Sequence, residues 1–106
     1  MATTISKRLA GPAALTTSAA TKYTAPALTT TVIRRGRVSN PSGGALTFTM
    51  SIGADATGTR LYDAVSVPAG GGLDIFGPFT VAAGEIVQAL GSGTALVLEL
   101  DGTETS

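Results

Sequence analysis

The chain alternates most clearly between Ala45 and Val67. Leu46, Phe48, Met50 and Ile52 fall on one face of an extended strand, and Thr47, Thr49 and Ser51 on the other. Side chains alternate across a strand with period two, so the run predicts one buried and one wet face. A turn over Gly53–Thr59 leads into a second extended run, Arg60–Val67. Similar segments occur on either side. Leu28–Ser39 is rich in β-branched residues, and Gly36 inside it marks a bulge or a close backbone approach. Asn40-Pro41-Ser42-Gly43-Gly44 is a turn, and Pro68–Gly72 a loop. Leu73–Phe76 reads as a short strand stopped by Gly77-Pro78, and Phe79–Val81 leads into the Ala82-Ala83-Gly84 turn. Glu85–Leu90 and Thr94–Leu100 close the series. The last run is expected at the centre of a sheet, because an exposed Leu-Val-Leu-Glu-Leu edge would recruit other strands.

No window shows a helical period. Six to eight short strands, with turn signals every ~8–12 residues, predict an all-β fold: a small antiparallel β-sandwich of jelly-roll or immunoglobulin-like type. Residues 1–26 lack the alternation and carry Gly11, Pro12 and Pro26. They read as an extended N-terminal arm, residues 27–102 as the sandwich, and 103–106 as a polar tail. Such an arm would reach roughly 80 Å at ~3.3 Å per residue, and a neighbouring subunit is the simplest thing to hold it.

At 106 residues the chain has the length of one domain. It contains no cysteine and no histidine, which removes thiolate metal sites, disulfides, Cys nucleophiles and His acid–base chemistry. Net charge is zero but unevenly placed. Lys7, Arg8, Lys22, Arg34, Arg35 and Arg37 precede every acid; after them Arg60 stands against Asp55, Asp63, Asp74, Glu85, Glu99, Asp101 and Glu104. The expectation is a basic N-terminal segment packed on an acidic body, its own or a neighbour's. No apolar run approaches the ~20 residues of a membrane span, so no membrane contact is expected. Lys7–Leu15 loosely mimics a secretion signal, but Gly11 and Pro12 break its apolar part.

Candidate chemistry is sparse. Asp55, Asp63 and Asp74 sit on separate turns and strands, whereas calcium gathers its oxygens from a compact loop; they read as solvated charges. Gly70-Gly71-Gly72 and Gly91-Ser92-Gly93 lead into strands rather than helices, so they read as turns and not phosphate cradles. The serines lack a base. No cofactor is expected, and no enzymatic activity. Arg34-Arg35-Gly36-Arg37 is the densest basic patch. Regular alternation puts Arg35 and Arg37 on one face and Arg34 on the other. Nucleic-acid platforms pair such charge with stacking aromatics, and none lies between Tyr23 and Phe48, so subunit contact is preferred to nucleic acid.

Several motifs carry a resemblance. Tyr23-Thr24-Ala25-Pro26-Ala27, Asn40-Pro41-Ser42-Gly43, Thr47–Gly53, Arg60–Ala64, Pro68-Ala69-Gly70 and Ala83–Ala89, with the opening Ser6–Pro12, span nearly the whole chain. The chain resembles small β-sandwich virion structural proteins of tailed bacteriophages and prophages, of capsid-decoration or minor-tail type. That resemblance implies a non-enzymatic, multi-copy virion component on the capsid, neck or tail. It would bind itself, as a trimer or hexamer, and other virion proteins such as the major capsid or tail proteins. The subunit contacts expected are Lys7, Arg8, Leu9, Leu15, Lys22, Tyr23, Arg35 and Arg37. The alternative is a carbohydrate- or host-surface-binding module, for which only Tyr23, Tyr62 and Phe76 could stack on sugars.

Overall fold

The structure, a computed structural model, describes residues 3–106. Eight strands form: β1 (Thr4–Ala14), β2 (Ala20–Thr24), β3 (Thr30–Ser39), β4 (Leu46–Ile52), β5 (Arg60–Val67), β6 (Gly72–Val81), β7 (Ile86–Gly91) and β8 (Val97–Thr105). They make two four-stranded sheets, ordered β1-β8-β3-β6 and β2-β7-β4-β5, with every pair antiparallel. The pairings β4 with β5, β3 with β6, β2 with β7 and β1 with β8 describe one long hairpin whose tip is the β4–β5 turn. Wrapping that hairpin brings β3 against β8 and β4 against β7. This is the jelly-roll form of the expected sandwich.

Local chemistry accounts for the turns. Asn40 is buried, and its amide donates to the carbonyls of Gly44 and Val67 at 2.9 and 3.0 Å. Its carbonyl oxygen accepts from the Ser42 backbone and hydroxyl at 3.1 and 2.6 Å. One side chain thus shapes the β3–β4 loop and ties it to the end of β5, as an Asx turn does. Inside the sandwich, Ile33, Val38, Phe48, Met50, Ile75, Val87, Leu98 and Leu100 meet between the sheets, all fully buried. The lateral opening between β5 and β6 is closed by rings: Phe48 and Tyr62 lie 5.8 Å apart, and Tyr62 meets Phe79 edge-on at 6.5 Å.

Four expectations are corrected. The segment 1–26 is not an arm in its described part. Residues 4–14 pair with β8 along its length, and 20–24 pair with β7. The strand pattern escaped notice because both strands are sheet edges with mostly exposed side chains; only Leu9, Leu15 and Tyr23 mark their inner face. The polar tail is also strand, since Gly102–Thr105 continue β8 opposite β1 and β3. Gly77-Pro78 does not stop a strand. It sits in an irregular register on β6, an edge strand, where a missing N–H breaks no ladder. Thr49 and Ser51 are not wet: both are buried at the centre of the second sheet, where Thr49 Oγ1 accepts from the Ala64 N–H at 3.0 Å and Ser51 donates to the Gly53 carbonyl at 3.0 Å. β8 does lie inside its sheet, as its Leu-Val-Leu-Glu-Leu run required.

The first sheet is packed too closely for side chains at several glycines, Gly36 and Gly102 among them. A Cβ on Gly36 would lie 2.6 Å from the Glu99 carbonyl oxygen, and one on Gly102 would lie 2.0 Å from that of Val32 and 2.9 Å from the Leu9 side chain. At Gly43 the same atom would meet nothing within 4 Å. Gly102→Ala is therefore expected to destabilise the fold by at least ~2 kcal/mol in urea denaturation, while Gly43→Ala stays within ~0.5 kcal/mol.

Candidate functional site

Charge on this molecule is organised by the first sheet. The acidic strand β8 lies between the basic strands β1 and β3, with Arg8 and Arg35 both opposite Asp101 and Arg37 opposite Glu99. Arg37 also reaches Asp74 on β6 at 2.7 Å. The split of charge seen along the sequence is thus a cross-strand arrangement, with the basic N-terminal strands on the acidic body of the same chain. Each such exposed pair contributes roughly 0.2–1 kcal/mol.

A bulge gives this face its character. Ile33 is opposite Gly102 and Arg35 opposite Asp101, so Arg34 is an extra residue on β3. A bulge of this kind re-aims the chain. Ile33 and Gly36 stay buried while Arg34 and Arg35 are both exposed. Arg34 does not point away from Arg35, as strict alternation predicts. Both line one shallow groove of about 380 Å³, with Ser6, Asp101 and Thr103. Across β3 from Arg35 stands Phe76, 72% exposed on the edge strand β6. Among the described residues, Arg8, Arg34 and Arg35 take part in none of the ion pairs. Three free guanidinium groups and one exposed ring therefore share the outer face of the first sheet.

Beneath these cations the carboxyls are crowded. Glu99 Oε2 is buried without a hydrogen-bond partner among the described residues. Burial, then the neighbouring Asp101 carboxyl, push Glu99 up to about 7, against the pull of Arg8 and Arg35. At the inner side of the same sheet Tyr23 donates to Glu104 and lies 2.7 Å from the Thr31 hydroxyl; Lys7 reaches Glu104 at 3.3 Å. Burial, then the bond to Glu104, push the Tyr23 phenol up to about 12, while Tyr23 and Lys7 hold Glu104 below the usual carboxylate range. This network joins β2 of one sheet to β3, β8 and β1 of the other.

The residues expected as subunit contacts separate into two groups. Leu9, Leu15 and Tyr23 belong to the chain's own core, with exposures of 9%, 0% and 9%, and are corrected to internal packing residues. Lys7 is tied to Glu104, and Lys22 donates to the Ala14 carbonyl at 3.4 Å, bracing β2 against β1. Arg8 and Arg35 stand exposed on the outer face, and Arg37 faces it while paired to Asp74. Phe76 and Arg34, absent from the expected contacts, stand exposed on the same face. The signal for Phe76 was available: Ile75 and Phe76 are adjacent on a strand, so one of them must face out.

The three aspartates considered for metal binding are separate. Asp55 and Asp63 share Arg60, at 2.9 and 3.0 Å, at the start of β5, and Asp74 lies on the other sheet. Arg60 holds Asp55 below the usual carboxylate range. Among the described residues no helix is long and apolar enough to cross a membrane. No protein-family model matches this chain, and no curated protein matches it in sequence.

Two titrations bracket stability. Glu104 is depressed in the fold, so its contribution is complete above the ordinary carboxylate range and is lost as pH falls through its lowered value. Glu99 is raised, so its contribution is complete at low pH and is lost as pH rises through about 7. Urea midpoints measured across pH are expected to fall on both sides, and Glu99→Gln to abolish the loss between pH 5 and 7. Tyr23→Phe is expected to cost ~1–2 kcal/mol by removing the phenol that joins Glu104 and Thr31.

Proposed function

We propose that this chain is a non-enzymatic structural component of a tailed-phage virion, present in many copies on the capsid, neck or tail, where it works by binding its neighbours. The motif resemblance from Ser6 to Ala89 motivates the virion assignment. The observation that carries a contact function is the outer face of the first sheet, where Arg8, Arg34 and Arg35 have no ion-pair partner among the described residues and Phe76 stands 72% exposed. Arginine and large aromatics are the residue types that anchor protein interfaces. Contact through a free N-terminal arm gives way to contact through this face, because β1 and β2 are part of the sandwich. The partners are other copies of the chain, in a cyclic trimer or hexamer, and other virion proteins; nucleic acid is not among them.

A carbohydrate-binding module is the second reading, and the exposed ring of Phe76 is what would carry it. Of the rings that could stack on a sugar, Tyr23 and Tyr62 pack inward and only Phe76 is open to solvent. A glycan array with no binder above background removes that reading. The virion reading predicts that mass spectrometry of purified virions, from the phage or prophage whose genome encodes this chain, finds it in stoichiometric multiples, and that subtomogram averaging places it on the particle. Virions that lack the protein would contradict it.

A further inference from the structure

Two features of this chain match each other. One is Phe76 with Arg35, cross-strand neighbours on the outer face of the first sheet. The other lies on β5, an edge of the second sheet, where Leu61 is 44% exposed and the Asp63 side chain 60% exposed. Leu61 is the extra residue at a register shift of β5, and Leu61 and Asp63 both stand exposed on either side of Tyr62, whose ring packs inward. Phe76 and Arg35 offer an apolar surface and a cation as a cross-strand pair. Charge agrees as well. Arg60 is shared by Asp55 and Asp63, which leaves one carboxylate in excess beside Leu61. On the outer face of the first sheet Arg8, Arg34, Arg35 and Arg37 stand against Asp74, Glu99 and Asp101, which leaves one cation in excess.

We propose that the outer face of the first sheet is an interface with a second copy of this chain, in which Phe76 and Arg35 of one copy receive Leu61 and Asp63 of the next. The inference rests on the multi-copy contact function proposed above and adds its geometry. The two surfaces lie on different sheets, so the contact is heterologous, and repetition closes a ring or extends a stack. Strand-to-strand extension of the first sheet is a weaker route. Both of its edges carry a Gly-Pro pair in an irregular register, Gly11-Pro12 on β1 and Gly77-Pro78 on β6, and proline offers a partner strand no N–H. A polyanion fits the face less well, because one cation in excess of Asp74, Glu99 and Asp101 matches a single carboxylate and not a run of phosphates.

Sedimentation velocity and light scattering on the full chain test this at concentrations up to about 0.1 mM and at about 0.05 M and 0.5 M salt. The expected result is a multimer that weakens with salt. Phe76→Ser and Leu61→Ser should each weaken association at least about tenfold with an unchanged unfolding midpoint, and Arg35→Glu should weaken it as much while lowering the midpoint, because the new carboxylate faces Asp101. Arg35→Asp combined with Asp63→Arg should restore it. A monomer under all conditions, or a multimer unchanged in all three single variants, overturns the inference. So does a wild type that binds a single-stranded oligonucleotide through Arg35 without self-associating. A monomer found in virions would overturn the interface and leave the virion reading intact, and a salt-sensitive multimer absent from virions would do the reverse.

Discussion

The structure depends on β8 lying between β1 and β3. That strand carries Leu98, Leu100 and Gly102 toward the core and Glu99 and Asp101 toward the outside. Its inner residues join the packing between the sheets, and its outer residues face arginines on both neighbours. Gly102 and Gly36 let the flanking backbones and Leu9 approach closely enough for both relations to hold. The chain's first and last strands meet here, so the wrapped hairpin is closed by the same contact that neutralises much of its charge. Burial supplies the larger part, at about 1.5–3 kcal/mol for a fully buried Leu against a fraction of that for an exposed ion pair. The charges add register, since a slip of β8 by one residue would turn Glu99 and Asp101 into the core.

The consequence for function is an unbalanced surface. Arg8, Arg35 and Arg37 face Asp101 and Glu99 from both sides, and the bulge at Arg34 adds another guanidinium to the same side. Phe76 is outward because Ile75 is inward. The outer face therefore combines surplus cation with an apolar ring as a by-product of how the sheet is held together. Selection on such a face needs only to keep it, and a partner with carboxylate and apolar side chains in alternation then fits it. Burial under this layer, then the neighbouring Asp101 carboxyl, raises Glu99 to about 7.

Much of the fold was legible because period two is a strong signal where one face is buried. Leu46–Ile52 and Thr94–Leu100 show that signal, and the central place of the last follows from its hydrophobicity. The signal failed at the edges. β1 buries only Leu9 along its length and is interrupted by Gly11-Pro12, so its sequence resembles a linker although it pairs with β8 from Thr4 to Ala14 apart from two register shifts. Thr49 and Ser51 failed for the opposite reason: a polar side chain that finds a backbone partner is as buried as an apolar one. The candidate contact face was half legible. Arg8, Arg35 and Arg37 could be named from charge density. Arg34 required knowing where the bulge falls, and Phe76 required knowing which strand lies beside β3. Both are pairing facts, set by the wrap of the hairpin and carried by no local motif.

Native-state hydrogen exchange on the full chain tests the central claim, that the N-terminal residues are a structural strand closing the sandwich on β8. The account predicts that amides of Leu9 and Ala10 on β1 are protected together with those of Leu98–Gly102 on β8, in one cooperative unit that opens near the global unfolding free energy. Amides throughout residues 4–14 that exchange at free-chain rates while β8 stays protected by β3 alone would contradict it.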